Sequence, residues 1–203
     1  MARTLSAVVL AILLSTHANF AVAGAPADRV RETVDKLLTI LKDPRLKGES
    51  KKTERREKLK EVINQRFDFT EMARRSLGPE WRRRSAEEQN EFVKLFADLL
   101  EQAYLEKIES YNGEKVRYLK EREDNTNAEV STKVVDNRGQ EFSLDYRLHK
   151  VNGDWKVYDV VIEDISLVNN YRSQFNRVLA KGSFEELLTR LKEKKFSGPA
   201  AKS

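Results

Sequence analysis

The chain contains no cysteine. That excludes disulfides, thiol catalysis and thiolate metal sites. Histidine is nearly as scarce: His17 and His149 are the only two. His17 falls in a segment expected to be removed, so a histidine-based zinc centre has too few ligands, while carboxylate metal sites stay formally open. There is no glycine-rich phosphate loop, no nucleophile elbow and no metal-binding signature. Beyond the N-terminus no apolar run approaches a bilayer-spanning length.

An excess of one charge is also missing. Lysine and arginine number 38 against 33 aspartates and glutamates, a net charge of +5, and the two signs are interspersed. Such mixing describes a solvated, salt-bridged helical surface. A weakly basic face toward an anionic partner is the sharper alternative. The basic stripe with interleaved aromatics that nucleic-acid binding requires is lacking, so no nucleic-acid partner is expected.

What is present begins with an export signal. Arg3 supplies a positive start, Leu5 to Leu14 is a short uncharged apolar run, and Ala21-Val22-Ala23 fits the small-x-small cleavage rule. Residues 1–23 are therefore expected to be a signal peptide, cleaved near Ala23-Gly24, with no retained anchor and a periplasmic destination. A chain of 203 residues suits one domain, placed at residues 24–196, with a disordered tail at 197–203.

Helical periodicity fills the first half. Asp28 can cap a helix whose Val30, Val34, Leu37, Leu38 and Leu41 share a face and which Pro44 stops. Thr53 to Gln65 forms a second helix. Asp68 or Thr70 can cap a short one that Gly78 ends. Ser85 and Glu88 form a capping box opening the longest helix, to about Tyr111, with a broad stripe of Phe92, Leu95, Phe96, Leu99, Leu100, Ala103 and Tyr104.

After Gly113 the period changes to alternation. Strands are expected over 114–122 and 127–135, then a strand with Phe142, Leu144, Tyr146 and Leu148 on one face. Asn152-Gly153 is a strong hairpin signal. A two-residue turn there would pair Leu148 with Val157, Tyr146 with Asp159 and Leu144 with Val161, unless a bulge shifts the register. The last strand passes into a helix near Ser166, and a second capping box, Ser183 to Glu186, starts a final amphipathic helix. Helices, then a meander, then helices give an α+β fold. A curved four-stranded antiparallel sheet forms an open cone, with helices N-terminal and C-terminal to it across the mouth.

Three functions compete for such a cone. An enzyme would need a buried carboxylate, and Asp159 beside Tyr146 is the candidate pair. Nucleic-acid binding is disfavoured by charge. A carrier asks for export, no anchor and an apolar chamber, and each methylene kept from water is worth roughly 0.8 kcal/mol. Two acyl chains of about thirty methylenes would cost on the order of 20 kcal/mol to expose. A soluble sheath is what a lipid needs to cross an aqueous space.

The ordered blocks of this sequence point the same way. Phe67-Asp68-Phe69, Met72-Ala73, Leu77-Gly78 and Trp81 come first. Ser85, Glu88-Gln89, Phe92, Phe96 and Leu99-Leu100 follow. Tyr146-Arg147-Leu148, Gly153, Trp155 to Val160, Ile162-Glu163, Ile165-Ser166-Leu167, Asn170-Tyr171-Arg172 and Gln174-Phe175 complete the set. Together they resemble the MlaC family of periplasmic phospholipid carriers, which includes the toluene-tolerance auxiliary proteins.

The resemblance implies a nuclear-transport-factor-2-like (NTF2-like) cone and a carrier rather than an enzyme. It implies phospholipid as cargo, no cofactor and no resident metal. Its partners would be an inner-membrane ABC transporter with a mammalian-cell-entry-domain protein, and an outer-membrane lipoprotein–porin complex. The chain would meet them transiently, as a monomer. A related branch associated with hopanoid export makes a hopanoid the alternative cargo. The lining expected for the chamber is Phe96, Leu99, Tyr104, Tyr118, Val130, Leu144, Tyr146, Leu148, Val157, Val161, Ile165, Val168 and Tyr171.

Overall fold

The computed structural model describes residues 25–198. The expected signal peptide and residues 199–203 lie outside the described residues. Helix α1 (Pro26–Lys42) opens with Pro26 in its first turn rather than at Asp28, and no side chain of Ala25 caps it. The cap comes from far away: Glu121 accepts the Ala27 amide at 2.6 Å, placing a carboxylate at the positive end of the helix. Helix α2 (Lys52–Arg66) follows two short 3₁₀ turns.

Asp68 caps α3 (Phe69–Leu77), accepting the Glu71 amide at 2.9 Å. Gly78 ends it at φ 63°, a conformation that favours glycine. A 3₁₀ stretch at Gly78–Arg83 leads to α4 (Ala86–Glu109). Both bonds of the Ser85–Glu88 capping box form, at 2.7 and 3.2 Å. At the second expected box only half forms: Ser183 accepts the Glu186 amide, while the Glu186 side chain turns to Arg190.

The sheet runs β1 (Lys115–Glu123), β2 (Asn127–Val135), β3 (Glu141–Val151), β4 (Asp154–Ile162) and β5 (Ile165–Ser166). It is antiparallel, open, and ordered β1-β2-β3-β4-β5. The expected four strands thus gain a fifth of two residues. Asn152 and Gly153 make the two-residue turn with φ of 51° and 83°, the geometry a tight hairpin needs. Helices α5 (Leu167–Leu179) and α6 (Phe184–Lys192) close the chain.

The hairpin register departs from the simple pairing. Leu148 faces Val157 as expected, but a bulge then places Arg147 opposite Asp159, Tyr146 opposite Val160 and Leu144 opposite Ile162. Tyr158 is the extra residue. A one-residue slip sends every later side chain to the other face. Val160 and Ile162 therefore share the face of Tyr146, whereas Asp159 and Val161 leave it. The expected Tyr146–Asp159 and Leu144–Val161 pairs do not form.

Two cores result. One gathers α3, α4, α5 and α6 around Phe92, Phe96, Tyr171 and Phe175, with aromatic centroids 5.3–5.9 Å apart. The other lies between α1 and the sheet, around Val30, Val130, Leu148, Trp155 and Val157. Tyr104 and Phe67 touch both.

Candidate functional site

The face of the sheet toward α1 presents Tyr118 from β1, Val130 from β2, Leu144, Tyr146 and Leu148 from β3, and Val157, Val160 and Ile162 from β4. Packing is uneven across it: Val130 and Leu148 are 0% exposed, Val157 1% and Val160 7%. Val34, Tyr104, Tyr118, Leu144, Tyr146 and Ile162 all adjoin this core but remain only partly buried. Leu37, Leu38 and Leu41 of α1 are likewise only half-buried.

Tyr146 shows what this means. Burial, with smaller contributions from Tyr118 and Asp145, pushes its phenol above the usual range. Its side chain nevertheless keeps accessible surface. The ring is thus half-buried on the side of the sheet that faces α1.

The polar groups here are sparse and unpaired. The hydroxyls of Tyr104, Tyr118 and Tyr171 are buried and have no hydrogen-bond partner. Burial pushes Tyr118 up to about 12, aided by Asp35 and opposed by Arg31. It pushes Tyr171 up to about 12 as well, opposed by Tyr104, and Tyr104 still higher, with Tyr171 adding to the rise. Tyr104 and Tyr171 thus sense each other without a hydrogen bond of ordinary geometry. Buried hydroxyls are normally satisfied; those of Tyr104 and Tyr171 lie beside the C-terminal tail at Gly198, and that of Tyr118 lies on the sheet.

The thirteen expected lining residues divide accordingly. Tyr104, Tyr118, Leu144 and Tyr146 adjoin the sheet-side core and are partly buried. Val130, Leu148 and Val157 are fully buried in it. Phe96, Leu99, Val168 and Tyr171 belong to the helical core, although the Tyr171 hydroxyl approaches Tyr104. The bulge turns Val161 away, opposite Ser166. Ile165 sits on the edge strand, 37% exposed. The bulge that the sequence left open brings Ile162 to the face of Tyr146, and Val34 of α1 adjoins the same core.

Asp159 is fully engaged elsewhere. It accepts from Arg147 at 3.1 Å, the Ser166 hydroxyl at 2.6 Å and the Val168 amide at 3.1 Å. The acid–base pair with Tyr146 is therefore not assembled. Two recesses open at the surface. One, of about 350 Å³, lies among Gln174, Arg177, Val178, Lys181, Arg190, Lys195 and Phe196. The other, of about 930 Å³, is walled by polar and charged residues of α2 and Glu101. Charged side chains make up most of both linings. Among the described residues no acidic or histidine cluster could hold a metal ion, and no helix is long and apolar enough to cross a membrane.

The tail expected to be disordered from residue 197 is docked at its start. Phe196 packs edge-on against Phe175 at 5.0 Å. Gln174 donates to the Ser197 carbonyl at 2.8 Å and accepts its amide at 3.4 Å.

Comparison with known proteins places this arrangement. A solved phospholipid-binding protein from Ralstonia solanacearum, in complex with a phospholipid, superposes with a TM-score of 0.75 at 30% identity, covering 84% of this chain and 96% of that one. The toluene tolerance protein ttg2D of Pseudomonas putida is 26% identical over 169 residues, 82% of this chain and 79% of its own. The intermembrane phospholipid transport system binding protein MlaC of Haemophilus influenzae is 28% identical over 122 residues, 58% of this chain. That match spans only 57% of the Haemophilus protein. The family model for the MlaC protein matches residues 31–193. With nearly all of its described residues inside that match, the chain belongs to the MlaC family.

Proposed function

We propose that this protein is a periplasmic lipid carrier that takes phospholipid acyl chains between α1 and the concave sheet and leaves the head group at the mouth. The observation that supports it is the set of partly buried apolar side chains, Val34, Tyr104, Tyr118, Leu144, Tyr146 and Ile162, gathered against the sheet-side core. The lipid-bound state of the Ralstonia structure supports the same reading. In this reading lipid is exchanged between the inner-membrane ABC transporter complex, with its mammalian-cell-entry-domain protein, and the outer-membrane lipoprotein–porin complex. The protein acts as a monomer and uses no cofactor and no covalent chemistry. Sheathing replaces catalysis: burial of the tails offsets roughly 0.8 kcal/mol per methylene, and nothing in the lipid changes.

The test is direct. Protein purified from an exporting host is extracted with organic solvent and the extract analysed by mass spectrometry. Stoichiometric phospholipid is the expected result. A hopanoid would replace phospholipid as the cargo, and an empty, folded protein that takes up neither would overturn the carrier reading. Leu144→Trp, which fills the space, should keep the fold and lose the lipid.

A further inference from the structure

Resting on the carrier reading, we propose that Arg31 and Tyr118 form a phosphate-binding site at the rim of the chamber. Arg31 projects from α1 and is exposed. Its guanidinium carbon lies 4.4 Å from the centroid of the Tyr118 ring. Its helix neighbour Arg29 is committed to Glu32 and Asp154. Arg31 forms no salt bridge among the described residues, so its fork of donors is held in place by the ring and left open.

Tyr118 supplies the second half. Its ring joins the sheet-side core and remains half-buried, while its hydroxyl is buried with no partner. It stands opposite Thr132, just before a bulge in β1 that throws Leu119 outward. One residue thus faces the apolar space with its ring and carries an unused donor beneath an arginine. A phosphodiester offers only acceptors, and guanidinium and phenol offer only the donors it needs here. For a phosphate oxygen to reach both, the exposed Arg31 side chain must swing aside from the buried hydroxyl.

Asp35, one turn along α1, has its negative charge felt at Tyr118. It opposes an anion, so the site is tuned rather than simply basic. That gives the proposal a direction that packing alone would not predict: Asp35→Asn should tighten phosphate-bearing ligands.

The experiment uses the lipid-free mature protein and three probes. These are phosphatidylglycerol, diacylglycerol with the same chains, and inorganic phosphate. Arg31→Gln and Tyr118→Phe should each weaken phosphatidylglycerol about tenfold, with Asp35→Asn strengthening it. Diacylglycerol affinity should be unchanged in Arg31→Gln and Asp35→Asn, and in Tyr118→Phe should fall less than phosphatidylglycerol affinity. Lipid-free Tyr118→Phe should melt no lower than the parent, because the hydroxyl it loses has no partner. Equal loss of both lipids would assign Tyr118 to packing and overturn the site. No loss of either would also overturn it while leaving the carrier intact. Inorganic phosphate bound with the same dependence on Arg31, with phosphatidylglycerol indifferent, would reassign the site to free anion. Failure of the parent to bind either lipid would remove the carrier reading itself.

Discussion

The Asp159 carboxylate and the Ser166 hydroxyl lie 2.6 Å apart across the corner where the sheet gives way to α5. Ser166 is also the N-cap of that helix, accepting the Asn169 amide at 3.1 Å. The other Asp159 oxygen accepts the Val168 amide at 3.1 Å, and Arg147 reaches in from β3. One buried carboxylate therefore ties two strands to a helix N-terminus. Asp159→Asn cannot accept all these donors and should cost about 2–4 kcal/mol. Urea denaturation measures it. Lipid carried per folded molecule should not change, and an unchanged midpoint would sink the structural assignment.

Arg66 does comparable work at the opposite end. It is 8% exposed and bonds Thr33 of α1 at 3.2 Å, Asp154 of β4 at 3.1 Å, and the Trp155 carbonyl. Lysine cannot reproduce a planar fork with three partners. Arg66→Lys should therefore lose most of what Arg66→Met loses, about 2–4 kcal/mol, as read from chemical unfolding.

The same cluster gives an acid limb to stability. Burial raises the Asp154 carboxyl, but Arg66, the Trp155 amide and Arg29 together outweigh it and hold the group below its usual range. Burial of Glu109 is likewise outweighed by Arg56 and Arg55. A depressed folded-state value means the stabilisation is complete above the unfolded value, roughly 4, and is lost as pH falls through the folded value. Unfolding midpoints should fall below about pH 4, less steeply in Arg66→Met. A parent curve flat through that range would contradict this.

The bulge makes a sharper contrast possible. Ile162 shares the sheet face of Tyr146 and Val161 does not. Ile162→Trp should abolish lipid retention while the far-ultraviolet spectrum stays native. Val161→Ala should lower stability by about 1 kcal/mol and leave lipid content alone. The reverse outcome would restore the unbulged register.

Much of this fold could be read before any coordinates, because its signals are local. Ser85 and Glu88 are three residues apart, and Asn152-Gly153 is its own turn. The α+β order follows from a change of period at Gly113. What escaped depends on partners distant in sequence. The cap of α1 is Glu121, 94 residues away. The two-residue return into β5 uses Glu163 and Asp164 at φ 48° and 64°, a conformation such residues seldom adopt. The bulge at Tyr158 leaves no mark in residue type, yet it decides that Ile162 and not Val161 shares the face of Tyr146. Helix stripes reveal which side chains are apolar. They do not reveal whether the opposite wall closes on them, which is why fully buried Phe96 and half-buried Tyr104 looked alike.

The docked tail yields the last test. A Cβ on Gly198 would lie 2.3 Å from the Tyr104 hydroxyl oxygen, 2.9 Å from its ring carbon and 3.1 Å from the Tyr171 hydroxyl. Tyr171 is fully buried and cannot retreat. Gly198→Ala must therefore lift the tail, although Gln174 and Asn170 hold Ser197 next to it. Amide exchange at residues 195–198 should quicken, with global stability changed by less than about 1 kcal/mol, since ends open locally before cores do. Tyr104→Phe in the Gly198→Ala background removes the nearest clash but not the ring carbon, so protection should return only in part. Full protection in Gly198→Ala alone would mean the tail does not rest on these tyrosines.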